Sequence, residues 1–111
     1  MKKFGKLQSR RYFTIDFNPQ QGHEQSGRRP ALVISNDILN HHSSMAMVCP
    51  ITNTNKHHPF HIELDDRTDT TGVILCDQAK MLDIKARNGK FRETCPEDIW
   101  TDARDLITSF M

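Results

Sequence analysis

The polar segment from Gln20 to Arg29 gathers the residue types that phosphate chemistry needs. It reads QQGHEQSGRR, so a histidine, a glutamate and two arginines stand together among glutamines and glycines. A guanidinium can bind two phosphate oxygens at once, and a neighbouring Glu or His can transfer a proton. So long a polar loop is uncommon in a short chain unless it has a function. The spacing indicates a phosphate site, and the alternative is a surface loop whose charges pair with each other.

Length and charge limit what can surround this segment. The chain has 111 residues and a net charge of +1, which leaves room for one domain over residues 1–111 and says nothing by itself about partners. Residues 1–11 are basic and predict a flexible N-terminal arm. Such an arm either contacts phosphate or is a solvated terminus.

The cysteines and the apolar content favour a reduced compartment. The cysteines are odd in number, widely spaced and without a CxxC pair, which excludes a disulfide framework and the usual structural zinc patterns; they are Cys49, Cys76 and Cys95. We interpret them as small apolar residues rather than nucleophiles. No apolar run is long enough to span a bilayer, and no apolar segment follows the lysines at the start. We therefore expect a cytoplasmic protein without membrane contact.

Short apolar segments predict a fold made mainly of β-strands. Their alternating or continuous apolar residues predict strands over 12–17, 31–35, 45–52, 60–64 and 72–76, with weaker candidates over 81–84 and 89–91. Pro50 is expected to break the third strand, and Phe60, Ile62 and Leu64 are expected to point inward. Residues 36–42 predict one or two helical turns, with Ser35 or Asn36 as the cap.

The C-terminal segment changes to a helical period. Thr94 and Glu97 have the spacing of a capping box, which predicts the start of a helix. Apolar residues at helical intervals predict its buried face, with Trp100 and Ile107 on the flank; the face comprises Ile99, Ala103, Leu106 and Phe110. Many short strands and one packed helix favour a small, strongly curved β-barrel.

Five blocks of the sequence resemble the MazF/PemK (Kid) family of toxin endoribonucleases. The first, FNPQQGHEQSGRRPALVISNDILN, matches the family's GxEQxGxRP loop and the apolar strand that follows it. The others keep the family's order and are VCPITN, PFHIEL, TTGVILCDQAKMLDIKAR and the Pro96-Glu97 entry into the last helix. The resemblance implies an SH3-like barrel of the PemK/CcdB-like toxin fold. It also implies a homodimer that cuts single-stranded mRNA at short motifs without a metal or cofactor, and a cognate antitoxin protein that silences it.

The same resemblance assigns residues to the cleavage site. The family's arginine after the loop and its threonine after the third strand fall on Arg29 and Thr52. The His-Glu-Gln of the family's loop falls on His23, Glu24 and Gln25. The Asp-Gln pair after the family's central strand falls on Asp77 and Gln78.

RNA cleavage of this kind does not require a metal, because RNA carries its own nucleophile, the 2′-hydroxyl. The enzyme must supply a base for that hydroxyl and positive charge for the crowded phosphorane. We expect Arg29 to supply the charge and Thr52 to hold a non-bridging oxygen. Glu24 or Asp77 is the expected base, with His23 as an alternative. The products would be a 2′,3′-cyclic phosphate and a 5′-hydroxyl.

Other polar residues are expected to bind the RNA rather than to react with it. This set comprises His23, Gln25, Arg28, Lys56, His58, Gln78 and Lys80. No metal site is predicted, because His58 and His61 lead into an alternating strand, in which positions i and i+3 point to opposite faces and cannot share an ion.

Three positions depart from the family pattern. Arg10 and Arg11 stand where the family usually has Gly followed by Asp or Glu, a change that reshapes the barrel's opening or adds a phosphate contact. Leu75 stands where one branch of the family has an arginine that takes part in catalysis.

Two other functions are alternatives to RNA cleavage. One is a non-catalytic toxin of the same fold that inhibits DNA gyrase, like CcdB, against which the Arg–Thr–acid set argues. The other is a member that only binds RNA or antitoxin, which the three departures keep open.

Overall fold

The computed structural model describes residues 8–17, 27–54 and 58–111. The strands in this part of the chain are β1 (Arg11–Asp16), β2 (Arg28–Val33), β3 (Met45–Thr52), β4 (His61–Glu63), β5 (Val73–Leu75), β6 (Lys80–Asp83) and β7 (Lys90–Thr94). The helices are α1 (Asp37–His42) and α2 (Glu97–Ser109), and a 3₁₀ turn spans Cys76–Gln78. No helix in these ranges has the length and apolar character needed to cross a membrane.

The longest strand, β3, organises the sheet because it pairs with three other strands. The strand order is β4–β5–β3–β2–β1–β7, with β6 also paired to β3, and every pairing is antiparallel. The first half of β3 pairs with β6, residues 48–50 pair with β2, and residues 51–52 pair with β5. A strand that changes partner along its length curves the sheet. The predicted fold class is confirmed: the structure is mainly β and barrel-like with one C-terminal helix, and the sheet path within the described residues does not close.

Apolar side chains cover both faces of this sheet, because successive residues of a strand point to opposite faces. One face packs against the buried side of α2 and includes Tyr12, Leu32, Ile34, Cys49, Ile51, Ile74, Cys76 and Cys95. The curled sheet encloses the other face, which includes Phe13, Ile15, Phe17, Ala31, Val33, Ala46, Val48, Leu82 and Ile84. Burial on both faces explains why the segments at 31–35 and 72–76 read as continuous apolar runs.

The last helix lies where predicted, but its start and its buried face differ from the prediction. Thr94 is the last residue of β7 and pairs with Arg11, so it cannot cap the helix, and the capping-box prediction is wrong. Pro96 occupies the N-cap position without a side-chain cap. The buried face repeats every fourth residue as Ile99, Ala103 and Ile107, while Leu106 is half-buried and Phe110 is 43% exposed. The Trp100 indole N–H donates to the Val33 carbonyl (3.0 Å) and ties the helix to the sheet.

Pro50 does not break β3, contrary to the prediction. It pairs with Ala31 of β2 inside a continuous strand. On the other side of β3 it falls between the segment that pairs with β6, which ends at Val48, and the segment that pairs with β5, which begins at Ile51. A missing backbone N–H is tolerated in such a gap between two partners.

Three further local predictions have different outcomes. Asn36 caps α1 and its side chain accepts a hydrogen bond from the Leu39 N–H, as predicted. Phe60 does not point inward; it lies in the turn before β4 and is 41% exposed. The strand predicted over 31–35 begins three residues earlier, at Arg28, so the two arginines belong to β2 and not to the loop.

Candidate functional site

Arg28 and Arg29 are neighbours in β2, and therefore their side chains leave opposite faces of the strand. The Arg28 guanidinium donates to Asp16 Oδ1 (3.2 Å) and to the Asn88 carbonyl (2.8 Å). These residues line a cleft of about 360 Å³ together with Gly89 and Lys90. Arg29 is half-buried and does not line this cleft.

Thr52 ends β3 and lies close to the position of Arg29 in the sheet. The last pair between β2 and β3 joins Ala31 to Pro50, and the same register continued by two residues would set Arg29 opposite Thr52. At this point the strands part, because Thr52 turns to pair with Val73 of β5. Thr52 is only 9% exposed, and its hydroxyl accepts from the Thr54 N–H (3.3 Å). The backbones of Arg29 and Thr52 therefore lie near the point where β2 and β3 diverge.

Gly72 holds the backbone close to Thr52. Its φ of +116° favours glycine, and a Cβ at this position would collide with the Thr52 carbonyl oxygen. Beside it, the Thr71 hydroxyl donates to Asn53 Oδ1 (3.0 Å). The position of the Thr52 strand end thus depends on a glycine that the sequence interpretation did not single out.

Asp77 lies in the 3₁₀ turn directly after β5 and faces a histidine from β4. Its Oδ1 is 3.4 Å from His61 Nε2, and the Asp77 side chain is 38% exposed. The His61 side chain is only 16% exposed, and its buried Nδ1 has no hydrogen-bond partner in the described part of the chain. His61 was not predicted as a site residue. A signal was available, because pairing 60–64 with 72–76 as a hairpin sets His61 opposite Leu75, two residues before Asp77.

His58 lies on the same side of the molecule as His61. It precedes β4 in a turn in which the His61 N–H donates to the His58 carbonyl (3.0 Å). The two ring centroids are 4.8 Å apart, and ligand atoms of His58, His61 and Asp77 all lie within 4.8 Å of one another. The reason given for excluding a shared ion, that the two histidines point to opposite faces of a strand, is therefore wrong, because His58 is not part of the strand.

The three cysteines are buried, in keeping with their interpretation as apolar residues. A hydrogen bond between the Cys49 and Cys76 thiols, together with burial, raises the pKa of Cys49 well above its usual range. Burial raises the pKa of Cys95 to about 11. Since the thiolate is the nucleophilic form, these shifts disfavour cysteine chemistry at neutral pH.

The remaining predicted residues are placed as follows. Gln78 ends the 3₁₀ turn beside Asp77, and Lys80 begins β6 opposite Val48. Arg10 donates to the Cys95 carbonyl through Nε (3.3 Å) and Nη2 (3.1 Å), so this departure from the family pattern links the residue before β1 to the residue after β7. Four predicted site residues lie outside the described residues: His23, Glu24, Gln25 and Lys56.

Comparisons with known proteins agree with the fold and the order of these elements. Residues 11–111 match the family model of the PemK-like, MazF-like toxin of type II toxin–antitoxin systems. The chain is 34% identical over 101 residues to endoribonuclease PemK of Escherichia coli, covering 87% of this chain and 76% of that protein. It is 36% identical over 86 residues to endoribonuclease toxin MazF of Escherichia coli K12, covering 77% of each.

Solved structures give the same assignment. MazF from Deinococcus radiodurans superposes with a TM-score of 0.88 at 33% identity, covering 93% of this chain and 94% of that one. A MazE–MazF structure from the same organism superposes with a TM-score of 0.82 at 33% identity, covering 93% of each chain. The chain belongs to the PemK-like, MazF-like family of endoribonuclease toxins of type II toxin–antitoxin systems.

Proposed function

We propose that this chain cleaves single-stranded RNA at a short sequence motif by the attack of a 2′-hydroxyl on the adjacent phosphate. The products are a 2′,3′-cyclic phosphate and a 5′-hydroxyl, and the reaction proceeds without a metal. Family membership and the names of the relatives support RNA as the substrate. The observation that supports the proposal is the β2–β3 register, whose last pair is Ala31 with Pro50: continued by two residues, it brings Arg29 and Thr52 to the point where the two strands part.

Arg29 is the proposed source of positive charge in the transition state. Attack by the 2′-hydroxyl adds negative charge to the phosphate oxygens, and a guanidinium can donate two parallel hydrogen bonds to them. Arginine stays protonated in proteins, so its role is to stabilise charge and not to exchange a proton. The rigid strand around Arg29 limits the reorganisation that the reaction needs.

Thr52 is the proposed partner of Arg29 on the same phosphate. Its hydroxyl can donate to a non-bridging oxygen while it accepts from the Thr54 N–H. Its low exposure reduces competition from water and strengthens that hydrogen bond.

Asp77 is the proposed base among the described residues. Its carboxylate is partly exposed and therefore open to a ligand, while His61 at 3.4 Å limits the orientations it can adopt. His61 is thus a positioning residue for Asp77. Glu24 and His23 stay as alternative bases, because they lie outside the described residues.

Several residues around this site are proposed to bind RNA without reacting. The exposed rings of His58 and Phe60 lie 5.1 Å apart and offer flat surfaces on which bases can stack. Arg28 is held by Asp16 and Asn88 and presents its charge from a fixed position. The other proposed contacts are His23, Gln25, Lys56, Gln78 and Lys80.

We also propose that the chain forms a homodimer in the cytoplasm and binds a cognate antitoxin protein. The similar Deinococcus radiodurans structure that contains both MazE and MazF supports the antitoxin. Phe60 and Phe110 are exposed and contact each other edge to face at 5.0 Å, which gives an apolar patch that a protein partner can cover.

Incubation of the purified protein with long RNA in EDTA, followed by sequencing of the fragment ends, tests the proposal. We expect cleavage at one short motif and a loss of at least about 100-fold in rate for Arg29→Ala. Arg104→Ala is the matched control, since Arg104 is an exposed arginine of α2 that bonds to its neighbour Asp105. Intact RNA together with stalled DNA gyrase would overturn the proposal in favour of a gyrase inhibitor. Binding of RNA without cleavage would overturn it in favour of a binding protein.

A further inference from the structure

His58, His61 and Asp77 form a compact group of metal-binding side chains, here called the His–His–Asp cluster. One ligand atom from each lies within 4.8 Å of the other two. Two imidazoles and a carboxylate are a common protein ligand set for Zn²⁺, and three protein ligands leave a fourth position open to water or to another ligand.

The spacing within the cluster suits a tetrahedral ion. Zn–N and Zn–O bonds of roughly 2.0–2.1 Å place neighbouring ligands of such an ion about 3.3 Å apart. His61 Nε2 and Asp77 Oδ1 already lie 3.4 Å apart, so these two ligands need almost no movement. The third ligand atom belongs to the exposed His58 and lies within 4.8 Å of the other two, so each of its distances must shorten by at most about 1.5 Å.

That movement has a small cost. In the structure His58 Nδ1 accepts a hydrogen bond from the Phe60 N–H (3.1 Å) at an exposed position. Water can replace this bond when the imidazole turns toward an ion, so no buried donor is left unsatisfied.

Two members of the cluster, the enclosed His61 and the partly exposed Asp77, also have few hydrogen bonds. Among the described residues, Asp77 has His61 as its charged neighbour at 3.4 Å, beyond the usual length of a strong hydrogen bond. The buried Nδ1 of His61 has no hydrogen-bond partner within residues 8–17, 27–54 and 58–111. Unsatisfied polar atoms in a folded protein call for an explanation, and a ligand or ion is one of the recognised ones.

We propose that the His–His–Asp cluster binds a divalent transition-metal ion with the ligand preference of Zn²⁺. We further infer that the bound ion inhibits RNA cleavage, an inference that rests on the proposed function. The ion would occupy the Asp77 carboxylate, which is the proposed base, and the His58 ring, which is proposed to bind RNA. The ion is an inhibitor and takes no part in the reaction, which runs in EDTA.

Metal binding is tested without RNA, on the full metal-free chain without an affinity tag. Titration with Co²⁺ should give one ion per chain and the intense visible absorption of a four-coordinate site, and added Zn²⁺ should displace the cobalt. His58→Ala should weaken binding by about tenfold or more. His41→Gln, which removes a histidine from α1, should leave the affinity unchanged.

The choice of variants separates loss of a ligand from loss of the fold. His58 is exposed, so His58→Ala should keep the wild-type thermal melting curve, whereas a buried His61 variant could fail to fold. Equal affinity in the wild type and His58→Ala, or a six-coordinate cobalt spectrum, would overturn the metal site.

Inhibition is tested separately, by comparing cleavage in Zn²⁺ with cleavage in EDTA for each variant. We expect Zn²⁺ to slow the wild type at least about tenfold, and to slow His58→Ala by a much smaller factor. Equal inhibition of both proteins would overturn the regulatory role. A wild-type protein that binds cobalt but cuts no RNA in EDTA would contradict the proposed nuclease and leave the metal site standing.

Discussion

Two carboxylates on this sheet, Asp16 and Asp77, have opposite hydrogen-bonding environments. Asp16 accepts from Asn88 Nδ2 (2.9 Å) and from Arg28 (3.2 Å), and these two bonds hold its pKa below the usual range. Asp77 has a single charged neighbour among the described residues, His61 at 3.4 Å. Asp16 is the last residue of β1 and contacts Arg28, whereas Asp77 lies just after β5 and precedes Gln78. Arg28 and Gln78 are both predicted to bind RNA.

The difference separates a structural carboxylate from one that is ready to bind a ligand. A carboxylate whose acceptor sites are filled by protein donors stabilises the fold and has little capacity left for a substrate. A carboxylate with vacant acceptor sites contributes little to folding but can take a proton or an ion. The comparison predicts that substitutions at the two positions will affect different measurements.

Asp77→Asn should have the largest effect, and this effect should be on activity. The amide keeps the shape of the side chain but cannot act as a base, so the cleavage rate should fall by about 100-fold or more. The thermal melting curve should stay close to that of the wild type. A variant that cleaves at the wild-type rate would exclude Asp77 and favour Glu24 or His23 as the base.

Gly72→Ala should produce the largest loss of stability, because it displaces the end of β3 at Thr52. The alanine must adopt a positive φ and its Cβ must displace the Thr52 carbonyl, which should cost about 2–3 kcal/mol in urea unfolding. Gly27→Ala is the matched control, since Gly27 also has a positive φ of +81° but no atom of the residues that the structure describes lies within 4 Å of an added Cβ. Equal losses for the two variants would mean that the contact with Thr52 is unimportant.

Glu93→Gln tests whether a second carboxylate with filled acceptor sites behaves like Asp16. Glu93 accepts from the N–H and hydroxyl of Thr70 (both 2.6 Å) and from the Asp69 N–H (3.2 Å). Burial raises the pKa of Glu93, but these hydrogen bonds outweigh it and the net pKa is lowered. The substitution should cost about 2 kcal/mol at pH 7.

The pH dependence of this loss follows from the sign of the shift. Because the unfolded carboxylate binds a proton more readily than the folded one, the stabilisation is present above the usual glutamate pKa of about 4.3 and is lost as the pH falls through the lower folded-state pKa. Urea unfolding of wild type and Glu93→Gln should therefore converge at acid pH. Asp102→Asn, at an exposed position on α2, is the control, and its stability difference should be small at every pH.

Asp16→Asn should have the smallest effect, because its ion pair with Arg28 is partly exposed to solvent. We expect a small fall in the thermal midpoint at neutral pH. The lowered pKa of Asp16 means that this difference should shrink as the pH falls below about 4. A large, pH-independent fall would show that Asp16 stabilises the sheet by packing and not through its charge.

Periodicity and capping patterns identified the elements of the fold but not their exact partners. The strand predicted over 12–17 and the Asn36 cap depend on neighbouring residues, and both are present in the structure. The strand is not half-buried at its start, because Tyr12 is buried as fully as Phe13 on the opposite face. The start of α2 and the continuity of β3 at Pro50 depend on which distant strands pair, which no local pattern contains. Phe60 is exposed because the strand begins one residue later than the alternation indicates.

The candidate site likewise contains residues that sequence motifs identify and residues that only the pairing of distant strands brings together. Arg29, Thr52 and Asp77 could be named from the family motifs, whose order along the chain is visible in the sequence. His61 could not be named in this way, because its contact with Asp77 arises only when β4 pairs with β5. The proximity of His58 to His61 also required the turn that places His58 outside the strand.

The hydrogen bond from Trp100 to Val33 gives the chain a built-in optical reporter. Trp100 is the only tryptophan of the sequence, and its indole lies at the junction of helix and sheet with the Arg104 guanidinium 5.1 Å above its ring. Its emission therefore records whether the helix is docked, without any added dye. A shift to longer wavelength that precedes the loss of circular dichroism would show that the helix leaves the sheet before the strands separate.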